Sequence, residues 1–319
     1  MASNRLIVAF DTSNYTTSCS VCTEDGVVIQ NIKAPLPVAE GQRGLRQSDA
    51  LFHHINQLPD VLGQLELNGE VAAVGYSASP REVEGSYMPC FLAGKAVASS
   101  FSKAKNVPLF SFSHQNGHIM AALYSAGKME LIGEKFYAFH VSGGTTEVLV
   151  VTPDEKKIIS SENIGGTLDL NAGQVIDRVG VLMGLKFPCG KEMEALAAAY
   201  TGKIDPYKVS VKDIYCNLSG IENIAVKLYS QSSDKNRVAA FVINSIKKTL
   251  EKITENLFAN YGRLPVIYAG GVMSCSLIKK DLSKYGDFSM PEFSSDNASG
   301  CALLTRHCLM KKEGRGLCN

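Results

Sequence analysis

The feature that most constrains the fold is a recurrence. The chain opens with an apolar strand, a polar turn and a β-hairpin, "RLIVAFDTSN" followed by "TTSCSVCTEDGVVIQNIKA", with Asp25-Gly26 as the hairpin signal. The same order returns in "KFYAFHVSGGTTEVLVVTPDEKKIISSENIG", where a Gly-Gly turn and then Pro153-Asp154 separate three strands. Helical spacing follows each copy. Residues 44–65 and 91–106 read as helices after the first. Residues 172–185, 192–200 and 238–257 do so after the second, the last with Val242, Ile246, Ile253 and Leu257 on one stripe. Shorter strands are expected at "VAAVGYSAS", "VPLFSFS" and "LPVIYAGGVMS", and "FSSDNASGCALLTRHCL" reads as a turn into a final helix. No Pro-, Gly- or Ser-rich linker parts the halves. Two similar α/β lobes around a cleft are expected, with ligands at the strand-to-strand turns.

Composition narrows the class. With 319 residues, 45% hydrophobic and 20% charged, the chain is long enough for one large domain or two moderate ones. A formal net charge of +1 shows no global pull toward nucleic acid. No run approaches the roughly 18 apolar residues of a membrane span, and the opening apolar run is too short for a signal peptide. Nine cysteines in apolar contexts read as reduced thiols, so a cytoplasmic location is expected. Cys19 and Cys22 form a C-x-x-C inside strand-like alternation, without a second pair at metal-site spacing.

Three turns carry chemistry: "DTSN" at 11–14, "VSGGTTE" at 141–147, and "AGGVMS" at 269–274. Glycine and hydroxyl residues in such turns expose backbone amides and let a phosphate approach closely. Together they favour a nucleotide cleft, and the absence of G-x-x-x-x-G-K-[ST] argues against a P-loop. His114 and His118 stand four apart at a helix start, so they share a face and suit one ion. Gln115 occupies the place of the glutamate of H-E-x-x-H, which removes the base a zinc protease would use. Asp296 in "FSSDNASG" is the best third ligand, and two imidazoles with one carboxylate leave positions for water or substrate.

The set "HQNGH", "VSGGTTE", "GGTLDLNAGQVIDRVGVLMGLKFPCG", "YAGGVMS" and "SSDN" resembles, in order and spacing, the TsaD/YgjD/Gcp family, which makes the threonylcarbamoyl modification of tRNA adenosine. The resemblance runs from about Leu6 to Leu304. It implies an α/β, two-lobed actin/hexokinase-like (ASKHA) ATPase fold. Residues 1–112 would form an N-terminal actin-like lobe, with the C-terminal helix packing back on it. Residues 113–319 would form a C-terminal actin-like lobe carrying the metal and nucleotide site. It further implies His114, His118 and Asp296 as ligands of one divalent metal, Fe²⁺ or Zn²⁺. Ser142, Gly143, Gly144 and Thr145 would form the phosphate or acyl-phosphate loop for ATP or an acyl-adenylate. Asp177, Gly190 and Glu194 would contact the nucleoside, and Gly270 and Gly271 would form a second nucleotide turn. The implied activity is carbamoyl transfer from a carbamoyl-adenylate to an amine acceptor, a tRNA adenosine or a small molecule.

The chain also departs from the family pattern. Tyr15 and Thr16 stand where an acidic pair is usual, Thr145 replaces a histidine, and Cys275 replaces an asparagine. "SPREVEG" replaces a short "GPGL" loop, so Arg81 and Glu82 are expected to face the acceptor. The stretch "AEGQRGLRQSD" is likewise recast. These changes leave a second expectation open: a non-catalytic paralogous partner subunit, present as a homodimer or as a heterodimer with a related chain.

Overall fold

The computed structural model describes residues 4–13, 15–37 and 45–315; Asn14 and residues 38–44, which hold part of the recast stretch, lie outside it. In chain order the first elements are β1 (Arg5–Ser13), β2 (Thr16–Thr23), β3 (Val28–Pro35), α1 (Gln47–Gly63), β4 (Glu70–Ser79), α2 (Phe91–Lys105), β5 (Leu109–Ser113) and α3 (His114–Ala126). Then come β6 (Phe136–Val141), β7 (Thr146–Asp154), β8 (Ile158–Thr167), α4 (Ala172–Leu182), α5 (Gly190–Ala199), β9 (Val211–Lys212), β10 (Tyr215–Cys216), α6 (Ser219–Ser232) and α7 (Lys235–Tyr261). The last are β11 (Val266–Ala269), α8 (Ser276–Leu282), β12 (Asp287–Phe288) and α9 (Ser299–Lys312).

The recurrence seen in the sequence is a recurrence of topology. One sheet has the order β3-β2-β1-β4-β5; the other has β8-β7-β6-β11-β12, extended beyond β8 by β10 and β9. In each, an antiparallel meander stands on one side of its first strand and parallel strands on the other. The chain divides into two compact units. The first holds residues 1–134, 152–161 and 295–319, the second residues 135–151 and 162–294. The 112/113 boundary expected from the sequence falls within β5, before its last residue, inside the first unit.

In the first unit, alternation along β1 sorts side chains to opposite faces. Leu6, Val8 and Phe10 join Leu58 and Val61 of α1 and Ala93 and Ala98 of α2 in one core. The strand does not stop at Asp11, where the polar residues begin. Thr12 and Ser13 continue the ladder opposite Thr17 and Thr16. Their polarity is met internally: Thr12 Oγ1 donates to the Cys90 carbonyl at 2.9 Å and accepts from the Gly94 amide at 3.0 Å. Helix α9 packs against β1, β4 and α3, and glycines set its depth. A Cβ on Gly75 of β4 would overlap the Thr305 hydroxyl, and one on Gly300 would overlap the Gly117 carbonyl of α3. Both approaches require glycine at those two positions.

In the second unit α4, α5, α6, α7 and α8 bury their apolar faces with Tyr137, Phe139, Val148 and Tyr268 of the sheet. The stripe Val242, Ile246, Ile253 and Leu257 is fully buried in α7, which starts at the Asp234 cap and outruns the expected span at both ends. Helix α6 and the β9–β10 pair were not anticipated from the sequence, whereas α8 is the helix expected after the "AGGVMS" turn. The two-residue strand β10 exists because Tyr215 and Cys216 pair with Gly166 and Thr167 of β8. No described helix is long and apolar enough to cross a membrane.

Cys19 and Cys22, the C-x-x-C pair, are both buried in β2, and burial pushes the Cys22 thiol up to about 12. Neither is a poised redox thiol. His307 of α9 is also buried, with neither ring nitrogen hydrogen-bonded among the described residues, and burial pushes it down to about 4. A histidine depressed in the folded state contributes stability that is present above its unfolded value and lost as pH falls. His307→Leu is therefore expected to resist acid: between pH 7 and pH 4, urea titrations should show the wild type losing about 3 kcal/mol relative to the variant. Gly300→Ala is expected to lower unfolding free energy by about 2 kcal/mol or more through overpacking. Gly117→Ala, whose Cβ would stand 3.8 Å from the Cys301 amide, should leave it within about 1 kcal/mol.

Candidate functional site

Strand β5 runs directly into α3, and Ser113 marks the boundary: its hydroxyl accepts from the Asn116 amide at 3.2 Å. His114 is thus the first residue of the helix and His118 lies one turn on, on the same face. Asp296 comes from the segment leading into α9. An Asx turn holds that segment, with Asn297 Oδ1 accepting from the Ser299 amide at 3.0 Å and Asn297 Nδ2 donating to the Ser295 carbonyl at 2.7 Å. The Gly117–Gly300 approach then carries the two ends together.

The result is a converging donor set within the first unit. His118 Nε2 stands 2.9 Å from His114 Nε2 and 3.2 Å from Asp296 Oδ1, and His114 Nε2 is 3.5 Å from the same oxygen. Those separations admit one point about 2 Å from all three atoms, the length of metal–imidazole and metal–carboxylate bonds. Among the described residues this is the one cluster of three or more such side chains with metal-site spacing. The residues present fit a divalent cation, and an N₂O set suits either Fe²⁺ or Zn²⁺.

The electrostatics are those of a buried charge cluster. Burial works to push His114 down, but Asp11 and Asp296 outweigh it and raise the imidazole to about 10. Burial likewise works to raise Asp296, yet His114 and His118 hold its carboxylate well below the usual range. Asp11 is held low in the same manner by His114, Ser77 and Ser13 against its own burial. The cluster therefore stays charged at neutral pH, ready to exchange a proton for a metal ion.

The glycine turns lie in the second unit. The loop Ser142–Thr145 closes on itself: Ser142 N–H donates to the Thr145 carbonyl at 2.8 Å, and Ser142 Oγ lies 2.8 Å from Thr145 Oγ1. Gly143 and Gly144 face open space, where a Cβ would meet nothing within 4 Å. Gly270, with φ +101°, packs against Val141, so the second glycine turn stands beside the first. The first amides of α4 are already occupied. Ala172 donates to Thr146 Oγ1 at 2.9 Å, Gly173 to the Ser142 carbonyl at 3.1 Å, and Gln174 to the Asn171 side chain in a capping box. The helix end anchors the loop, inside which the Gly144 and Thr145 amides donate to Ser142 Oγ at 3.2 Å each.

Asp177, Gly190 and Glu194 continue from that corner. Asp177 Oδ1 accepts from the Cys189 amide at 2.8 Å, the residue just before Gly190, and burial pushes its carboxyl up. Glu194 Oε1 accepts from the Ser276 amide at 2.8 Å and its hydroxyl at 2.5 Å, next to buried Cys275. Both carboxylates thus have protein partners that tie α4, α5 and α8 together. In the first unit, the loop carrying Arg81 and Glu82 also closes on itself, with Ser79 Oγ donating to the Arg81 carbonyl at 2.9 Å and Arg81 N–H to Ser86 Oγ at 3.0 Å.

Likeness to known proteins agrees with this fold. Full-length HypF, in a phosphate- and nucleotide-bound form, superposes with TM-score 0.58 at 13% identity, covering 97% of this chain and 56% of that chain. The present chain thus spans little more than half of HypF. An activator of the 2-hydroxyisocaproyl-CoA dehydratase from Clostridium difficile with bound ADPNP gives 0.51 at 12% identity over 100% of both chains. A ROK family glucokinase from Streptomyces griseus, in complex with glucose and AMPPNP, gives 0.51 at 12%, over 94% of this chain and 98% of that one. These set the class of fold: actin/hexokinase-like α/β, in two units.

The family model for TsaD, tRNA N6-adenosine threonylcarbamoyltransferase, matches residues 53–302. The enzyme of that name from Ligilactobacillus salivarius is 32% identical over 301 residues, 88% of this chain and 82% of its own. That from Methanopyrus kandleri is 28% identical over 257 residues, 79% of this chain and 70% of its own. The chain belongs to the TsaD family, a family of transferases.

Gly173→Ala tests the loop. Alanine favours the helix, but its Cβ would lie 2.6 Å from the Gly143 amide nitrogen. The loop must shift, and adenine-nucleotide affinity measured by calorimetry is expected to fall about tenfold or more.

Proposed function

We propose that this protein is a metal-dependent, nucleotide-binding carbamoyltransferase that moves a carbamoyl group from a carbamoyl-adenylate to an amine, with a tRNA adenosine as the acceptor its relatives' names suggest. The observation that carries the reading is the convergence of His114 Nε2, His118 Nε2 and Asp296 Oδ1 within a chain of this family. These three residues would hold the metal, Fe²⁺ or Zn²⁺, which when bound supplies Lewis-acid stabilisation of charge developing on the transferred group.

The chain's own residues do the rest. The loop of Ser142, Gly143, Gly144 and Thr145, open at its two glycines, takes the phosphate, with Gly270 and Gly271 beside it. Asp177, Gly190 and Glu194 line the nucleoside end. The acceptor nitrogen bonds to the carbonyl carbon, the bond from that carbon to the adenylate oxygen breaks, AMP leaves with the electron pair, and the amine proton passes to solvent. The substitutions at Tyr15, Thr16, Thr145 and Cys275 lie outside the donor set. They support a changed acceptor or a paired subunit, homodimeric or heterodimeric, in preference to a lost metal centre.

The test is metal content of anaerobically purified protein. Wild type is expected to hold about one ion per chain. His114→Ala/His118→Ala and Asp296→Ala should lose it, and with it AMP release from a carbamoyl-adenylate supplied with tRNA. Unchanged metal content in both variants would rule the donor set out. Metal without binding of ATP, AMP or an acyl-adenylate would rule out the nucleotide half.

A further inference from the structure

Beside the donor triad lies a carboxylate that the sequence placed only in the "DTSN" turn, with no tie to the histidines. Asp11 lies in the buried run of β1, and its side chain is 1% exposed. Its Oδ2 accepts from His114 Nδ1 at 2.8 Å and also from the Ser77 hydroxyl, while its Oδ1 accepts from the Ser13 amide at 2.8 Å. Ser77 comes from β4, the strand that pairs with β1 up to Phe10–Tyr76. The carboxylate is thus gripped by two adjacent strands before it reaches the histidine.

That arrangement decides what His114 can do. An ionised carboxylate only accepts, so the proton it receives must sit on Nδ1. In the neutral ring the lone pair is then on Nε2, the atom that faces His118 Nε2 and Asp296 Oδ1. Rotating the ring away would break the Asp11 bond inside a buried site, where an unpaired charge is strongly disfavoured. We propose that Asp11, held by Ser77 and the Ser13 amide, is the positioning residue that presents the Nε2 lone pair of His114 to the divalent cation. This rests on the metal reading of the donor triad.

Asn at position 11 keeps the shape but can donate through its amide, which favours the tautomer with the proton on Nε2 and blocks ligation. The experiment uses the full chain and two probes: Zn²⁺ affinity by chelator competition, and the visible spectrum of the Co²⁺-substituted protein. Asp11→Asn is expected to weaken both ions about ten- to hundredfold and to change the cobalt bands, with far-UV circular dichroism retained. Ser77→Ala removes one support of the carboxylate and should weaken both ions several-fold.

A folded Asp11→Asn protein with wild-type zinc affinity and cobalt spectrum would overturn the inference. If that variant does not fold, Ser77→Ala decides: a lowered Tm of the metal-free protein with both metal readouts unchanged marks a strut, and overturns it. A wild-type protein that binds neither ion would instead sink the metal reading, and this inference with it.

Discussion

Everything at the candidate metal centre depends on one close approach between two helices. Helix α3 carries both histidines, and the segment entering α9 carries the aspartate. The chain brings them together where Gly300 meets the Gly117 carbonyl, a contact that leaves no room for a side chain on Gly300. Helix α9 is seated in turn against β4 at Gly75, beneath Thr305. Two glycines therefore set the depth of α9 against the sheet and against α3, and so the spacing of three donor atoms. Packed interiors do not deform gradually, so this spacing is held rigidly.

Charge is the second constraint. Asp11, His114 and Asp296 are ionisable groups in a place that penalises ions; the two carboxylates keep His114 charged, and His114 helps to keep each of them charged. Such a cluster is a weak source of stability, because burying ions costs about as much as pairing them returns. It is a good precursor of a metal site, because a cation can take over the role the shared proton plays. The second unit solves a different problem. It exposes backbone at Gly143 and Gly144, and it uses up the first amides of α4 to keep that backbone in place.

Much of this was legible from residues alone, for definable reasons. The strand–turn–hairpin recurrence was visible because turn chemistry is local, as at Asp25-Gly26 and Gly143-Gly144, and it corresponds to the shared sheet order. The stripe of α7 was visible because a long buried helix must repeat its apolar residues near a period of 3.6. Where local signals mislead, tertiary partners explain the difference. Residues 11–13 look like a turn because they are polar, yet they stay in β1 because Asp11 and Thr12 find buried partners in β4, α2 and α3. Strands β9 and β10 have no signal of their own, since two residues form a strand only when a neighbour such as β8 is already there.

By itself the sequence determined the class of fold, the pairing of His114 with His118 through helical spacing, and the glycine character of the turns, because all three are set by residues near one another in the chain. It also nominated Asp296 as the best third ligand, from its turn before a helix, but not its distance from the histidines. The tertiary structure alone decided that Asp296 stands 3.2 Å from His118, that Asp11 backs His114, and that Asp177 and Glu194 already hold Cys189 and Ser276. Those contacts join positions 12 to 178 residues apart. No local preference of the backbone encodes such pairings; they arise when buried polar groups must find partners once the apolar faces have closed.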